Sequence, residues 1–256
     1  MTTAESETFL SKWSDLFLNF ASATPEMIED RALQRRSDTK YLLSLPAIQK
    51  ILPTLDNVYS ILHVDGRPMA SYKSLYFDTP DFHFYHSHRQ ERRTRYKIRI
   101  RHYLDRALSF LEVKKRLSDS INLKVRIGKT YGDNKLNTAD LEFINTHCPD
   151  VGILIPTVWT NYKRTTLISR YTNERLTIDF DLNLEGHTNI FFPQIGIVEV
   201  KQSPRDRRSA IMLKMRENHH RPQALSKYCT AMALLQDQLP RNKFLPTIKS
   251  LRKLAI

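Results

Sequence analysis

From about residue 71 to residue 201, charged positions alternate with apolar or aromatic ones in short runs, often bounded by Gly, Pro, Asn or Asp. A period of two sends successive side chains to opposite faces of an extended strand, so the pattern predicts strands over 71–78, 94–103, 109–116, 121–127, 157–164, 166–171, 175–182 and 195–201. They follow one another without regular helices between most of them. Parallel pairing would need long crossovers, so the expected fold class is α+β around an antiparallel sheet or closed β-barrel. Helical spacing appears elsewhere: Phe9, Trp13, Leu16, Phe17 and Phe20 within 5–20, a stretch from Pro46 to near Pro53, a short capped helix after Thr138, and segments 205–218 and 226–238. The tail over 241–256 is basic and receives no element.

The strand faces carry the candidate chemistry. Arg95, Lys97, Arg99 and Arg101 share one face of their strand, while Tyr96, Ile98 and Ile100 share the other. The device recurs with Glu112, Lys114 and Arg116, with Lys124 and Arg126, with Arg175, Thr177, Asp179 and Asp181, and with Glu199 and Lys201. Such faces are either solvated, or they line the lumen of a closed barrel whose apolar outside is covered by helices. The helical segments at both ends and in the middle favour the lumen. A lumen crowded with Lys and Arg is costly when dry and empty, so it should hold water or anions. Arginine forks suit phosphate oxygens, and same-face residues roughly 6.5–7 Å apart suit a linear oligophosphate. The acids on these faces either hold a hard divalent cation or pair with neighbouring bases. Glu112, Asp179, Asp181 and Glu199 are the candidates, with ion pairing more expected of Glu112 and Asp181 than of Glu199.

Composition narrows the partners. The 256 residues carry 40 Lys+Arg against 27 Asp+Glu, a formal net charge of +13, which points to polyanions without choosing among them. Cys148 and Cys229 are far apart with no metal-ligand spacing, so neither a disulfide framework nor a zinc site is expected. The acidic start and the lack of a long apolar run lead to the expectation of a soluble, cytoplasmic protein without a transmembrane segment, peripheral membrane contact staying open. Gly128-Lys129-Thr130 lacks the earlier glycine of a phosphate-binding loop. His83, His86 and His88 read as a surface loop rather than a metal site, and Arg205, Arg207 and Arg208 as a solvated face. The basic groups alternate with aliphatics rather than stacking aromatics, which argues against a specific nucleic-acid binder.

The ordered series Thr39-Lys40-Tyr41, Ser74-Leu75-Tyr76-Phe77-Asp78, Tyr96 to Tyr103, Phe110 to Lys114, Asn161-Tyr162-Lys163-Arg164, Arg175 to Asp179, Val198-Glu199-Val200-Lys201 and Ser226-Lys227-Tyr228 resembles the VTC-domain polyphosphate polymerases from about 31 to 235. That family belongs to the triphosphate tunnel metalloenzymes, whose antiparallel barrel encloses a basic tunnel. The resemblance implies transfer of the ATP γ-phosphate onto a growing inorganic polyphosphate chain with Mn²⁺ or Mg²⁺. It assigns catalytic phosphate contacts to Lys40, Arg99, Arg101, Lys114, Arg164, Arg175 and Lys227. It places Arg116, Lys124, Arg126 and Lys201 along the substrate and the metal at Glu199. It implies an N-terminal helical extension over 1–30, a tunnel domain over 31–238 and a basic tail over 239–256. Two departures are visible: Arg116 stands where the eukaryotic polymerases carry a histidine, and Gln223, Ala224 or Leu225 replaces a base expected before Ser226. Both bear on elongation more than on phosphate binding. Without the family's helical phosphate-sensing domain and membrane helices, the chain reads as a free-standing, bacterial-type member. A triphosphate or nucleoside-triphosphate hydrolase of the same fold and a non-enzymatic polyphosphate-binding module are the alternatives.

Overall fold

The computed structural model describes residues 16–29, 37–117 and 122–255. Its strands are β1 (Ser37–Ser44), β2 (Tyr59–Ile61), β3 (Ala70–Asp78), β4 (Arg95–Tyr103), β5 (Leu108–Arg116), β6 (Asn122–Lys129), β7 (Ile155–Ser169), β8 (Glu174–Glu185), β9 (Asn189–Phe192) and β10 (Ile195–Gln202). Its helices are α1 (Pro25–Glu29), α2 (Leu45–Ile51), α3 (His83–Arg89), α4 (Thr138–His147), α5 (Ala210–Glu217), α6 (Lys227–Leu235) and α7 (Leu245–Leu254). The helix expected over 5–20 lies mostly outside the described residues, although Phe17 and Phe20 are buried.

The expected strands are present, two of them merged into one, and β1, β2 and β9 are strands that the sequence pattern did not single out. The runs at 157–164 and 166–171 are one long strand, β7, and the polar opening of β1 hid a strand that periodicity alone did not reveal. The histidine segment is helical rather than a loop, because buried Asp78 accepts hydrogen bonds from the backbone N–H of Phe84 and Tyr85 at 2.8 and 3.0 Å and so satisfies the first turn of α3. The helix expected from 205 begins at Ala210, and the tail forms α7. Caps explain other starts. The Ser44 side chain accepts from the Ala47 N–H ahead of α2, and Asn137 with Asp140 forms a reciprocal capping box on α4.

The pairings β1–β10, β10–β8, β2–β7, β3–β4, β4–β5, β5–β6 and β8–β9 are all antiparallel. The hydrogen-bonded order of the sheet is β1-β10-β8-β7-β3-β4-β5-β6, with β2 on β7 and β9 on β8. Among the described residues β1 and β6 end this order with no ladder joining them, so the fold is α+β with a large antiparallel sheet that backbone hydrogen bonds do not close.

The chain divides into two compact units. The first comprises Met1–Ala70, Arg164–Phe180 and Gln194–Gln223, and the second Ser71–Lys163, Asp181–Pro193 and Ala224–Ile256. In the first, Tyr41, Leu43, Leu176, Ile178, Val198 and Val200 pack against Ile48 and Ile51 of α2 and Ile211 and Met215 of α5. In the second, Leu75, Phe77, Ile98, Ile100, Leu111 and Val113 pack against Phe84 of α3 and Ile144 of α4. Each fully buried aliphatic side chain contributes about 1.5–3 kcal/mol. Helices therefore hold the apolar face of each half-sheet, and alternation turns the charged face away from them.

Candidate functional site

The first unit presents Lys40, Glu199 and Thr177 as one cross-strand row over β1, β10 and β8, with Asp38, Lys201 and Arg175 as the next. Lys40 Nζ lies 3.1 Å from Glu199 Oε1, Lys201 binds the other oxygen, and Lys201 also donates to Thr177 Oγ1 at 3.4 Å. Arg164 on β7 grips Asp179 through a fork, Nε to Oδ1 at 2.5 Å and Nη2 to Oδ2 at 2.8 Å. Part of this face is buried: Thr177, Asp179 and Lys201 are all less than a tenth exposed, while Lys40, Arg175 and Glu199 are half-buried. Burial opposes charge on Glu199, yet Lys201, Lys40 and Arg164 outweigh it and hold the carboxyl well below its usual range. Burial pulls the Lys201 ammonium down to about 8 despite the neighbouring Glu199.

The second unit carries a denser lattice over β3 to β6. One row sets Lys97, Lys114 and Lys124 directly across from one another, and its neighbour sets Arg95 opposite Arg116. The next row runs Tyr76, Arg99, Glu112 and Arg126, and the last Ser74, Arg101, Phe110 and Gly128. Like charges facing each other across strands are destabilising, and Glu112 offsets part of this by pairing with Lys124. Within this lattice on β4, β5 and β6, Glu112 is the one carboxylate. Arg99 donates to Glu112 Oε2 from Nε at 2.7 Å and Nη2 at 2.6 Å, and Lys124 reaches Oε1 at 2.6 Å. Burial raises the Glu112 pKa, but Arg99, Arg101 and Lys124 reverse the effect and keep the group ionised.

Hydroxyls also hold Arg99, Arg101 and Lys97 in place. Arg99 donates to Tyr76 Oη at 2.8 Å, and Arg101 donates to Ser74 Oγ at 3.1 Å and Tyr162 Oη at 2.9 Å. Lys97 donates to Ser226 Oγ at 2.9 Å, the same hydroxyl that caps α6. One residue on, Lys227 Nζ sits 4.4 Å from the centre of the Tyr162 ring. Tyr228 donates to Asp78 and stacks on Tyr76 with ring centres 5.0 Å apart, which fixes the start of α6 beside the basic lattice.

The residues singled out from sequence fall on these faces as two sets. Lys40, Arg164, Arg175, Glu199 and Lys201 belong to the first unit, and Arg99, Arg101, Lys114, Arg116, Lys124, Arg126 and Lys227 to the second. The alternation expected through Asp181 stops at Asp179, because the backbone turns left-handed at Asp181 (φ 52°), whose carboxylate pairs with Lys163 at 3.0 Å. Sequence reasoning gave no role to Ser74, Tyr76, Tyr162 or Ser226. Their parity beside Arg99 and Arg101 emerges once β3 is paired with β4.

Among the described residues no group of three or more His, Cys, Asp or Glu forms a cation cage. Glu199 is half-buried with Lys40 on one oxygen and Lys201 on the other, so it can meet a hard divalent ion only as one ligand among oxygens from substrate and water. Likewise, no helix among the described residues is long and apolar enough to cross a membrane.

A family model described as VTC domain matches residues 35–236. No curated protein sequence matches the chain. Among solved structures, an adenylyl cyclase candidate from Hippeastrum, described as revealing a dominant triphosphatase activity, is 13% identical. That match covers 82% of this chain and 99% of the other, with a TM-score of 0.50. An adenylate cyclase candidate from Bacillus halodurans is 10% identical over 75% of this chain and 95% of the other, TM-score 0.49. A conserved hypothetical protein from Pyrococcus furiosus is 15% identical over 76% and 99%, TM-score 0.44.

Proposed function

The chain belongs to the VTC domain family, and from that premise we propose that it is a polyphosphate polymerase, transferring the γ-phosphoryl group of ATP to the end of an inorganic polyphosphate chain. The observation that carries this reading is the lattice of cations lined up across β4, β5 and β6, from buried Arg101 to exposed Lys124 and Arg126. From Arg95 to Arg101 it spans three two-residue steps, roughly 20 Å at strand spacing, longer than one triphosphate group and suited to a chain. Closure of the sheet around such a chain into a tunnel is part of the same proposal.

The reaction breaks the bond between the β–γ bridging oxygen and the γ-phosphorus, and forms a bond from a terminal oxygen of the acceptor chain to that phosphorus. ADP leaves. The nucleophile is a phosphate oxygen, so the protein supplies no covalent intermediate and acts by positioning and by neutralising charge. Arg99, Arg101, Lys114 and Lys227 in the second unit, and Lys40, Arg164 and Arg175 in the first, are the proposed phosphate contacts. Arg116, Lys124, Arg126 and Lys201 extend them along the substrate. Glu199 would hold Mn²⁺ or Mg²⁺, which when bound neutralises charge on the transferring phosphates. The paired state of Glu112, Asp179 and Glu199 keeps each cation pre-aimed while no phosphate is present.

The second reading is hydrolysis of a triphosphate, favoured by the triphosphatase activity described for the Hippeastrum neighbour. Incubation of purified protein with ATP and Mn²⁺ separates the two. A polymer that a polyphosphatase destroys, formed in step with ADP, supports the polymerase. Orthophosphate without polymer supports the hydrolase, and no turnover with tight polyphosphate binding leaves a binding module.

A further inference from the structure

The charged face of β4 and β5 is not cationic throughout: at one end its side chains are rings. Tyr72 and Tyr103 face each other across β3 and β4 with ring centres 5.1 Å apart. Tyr103 in turn meets Phe110 edge-on at 5.6 Å, and Tyr72 stacks on Tyr162 at 5.4 Å. These rings share the face of Arg101, opposite the apolar face where Ile98, Ile100 and Leu111 build the core. Tyr103 and Phe110 are only half-buried. The Arg126 guanidinium lies 4.4 Å from the centre of the Phe110 ring. Opposite Phe110 stands Gly128, where an added Cβ would meet nothing within 4 Å, so the lattice has open space beside that ring.

A half-buried ring, a guanidinium plane over it and an adjoining gap suit a flat aromatic heterocycle, which stacks on rings and on arginine planes alike. The row at the far end has a different character, with Arg95 opposite Arg116. We propose that Phe110, Tyr103 and Arg126 form a nucleobase subsite that orients a nucleoside triphosphate along this face. Its phosphates run from Arg101 toward the Lys97, Lys114 and Lys124 row, and the inorganic chain extends toward Arg95 and Arg116. The proposal rests on the nucleotide-dependent reading above and adds the polarity of the bound substrate. Stacking is tolerant of base identity, so ATP and GTP should behave alike.

The test compares ATP with inorganic tripolyphosphate by calorimetry in EDTA, where turnover does not intervene, for the wild type, Phe110→Leu and Tyr103→Leu. At least one variant should lose roughly tenfold in affinity for ATP and GTP, as expected for a lost base stack, while its affinity for tripolyphosphate stays at the wild-type value. Retained tripolyphosphate binding also shows that the variant is folded. Unchanged ATP affinity in both variants, or equal losses for ATP and tripolyphosphate in both, overturns the subsite. A wild type that makes no polymer sinks the polymerase reading and leaves this binding comparison intact.

Discussion

Replacing Glu112 by Gln removes the one carboxylate of the β4–β6 lattice without changing its shape. Glu112 is 1% exposed, with one oxygen on Arg99 and the other on Lys124. Breaking a buried ion pair from one side costs roughly 3–5 kcal/mol; the amide keeps an acceptor for Arg99, so about 2–4 kcal/mol is expected here. For a chain of this size each kcal/mol shifts the melting temperature by about 2–4 °C, giving a drop of roughly 4–16 °C. The same change leaves Arg99 and Lys124 in want of an anion, so phosphate should fill the role. Tripolyphosphate at 100 times its Kd adds about 2.7 kcal/mol to either protein. It should bind Glu112→Gln more tightly than wild type and so raise the variant's melting temperature by more at equal concentration. Thermal unfolding with and without tripolyphosphate, together with calorimetry, reads both effects. A variant as stable as wild type with unchanged affinity would refute the reasoning, since Arg99 and Lys124 would then behave as ordinary solvated cations.

Glu199→Gln should abolish Mn²⁺-dependent ADP release while tripolyphosphate binding persists or tightens; unaltered turnover would remove the metal role proposed for this carboxylate. Lys201 titrates near 8 in the folded protein, below its ordinary value. The unfolded chain therefore binds more protons between about 8 and 10.5, so burial of the charged lysine penalises stability fully below 8 and the penalty fades as pH rises. Phosphate affinity has the opposite sign, full below 8 and falling above it. Calorimetry from pH 7 to 9.5 should show this fall in wild type and a flatter profile in Lys201→Arg, whose charge persists; identical profiles would rule out Lys201 as the titrating group.

Much of the site was legible from alternation because a strand's period of two is a local steric property. Arg99 and Arg101 had to share a face whatever the rest of the chain did, and so did Lys124 and Arg126. Ion pairing was expected more of Glu112 and Asp181 than of Glu199, yet all three are paired with neighbouring bases. Lys40 was recognised by resemblance although its strand was not, since Ser37, Asp38 and Thr39 mask the pattern of β1. The helix through His83, His86 and His88 escaped for a different reason. Its first turn is satisfied by Asp78 from the preceding strand, and a segment with three histidines shows no apolar stripe of its own.

The amino-acid sequence by itself determined that this protein is built mainly of antiparallel strands, several with one charged face, and its net charge of +13 pointed to polyanions. Which face is covered, and which cations meet, was a tertiary matter. A strand's two faces are equivalent until something distant packs on one of them, here α2 and α5 in one unit and α3 and α4 in the other. Register is likewise set by pairing between segments, and it is register that lines up Lys97, Lys114 and Lys124 and sets Glu112 against Arg99.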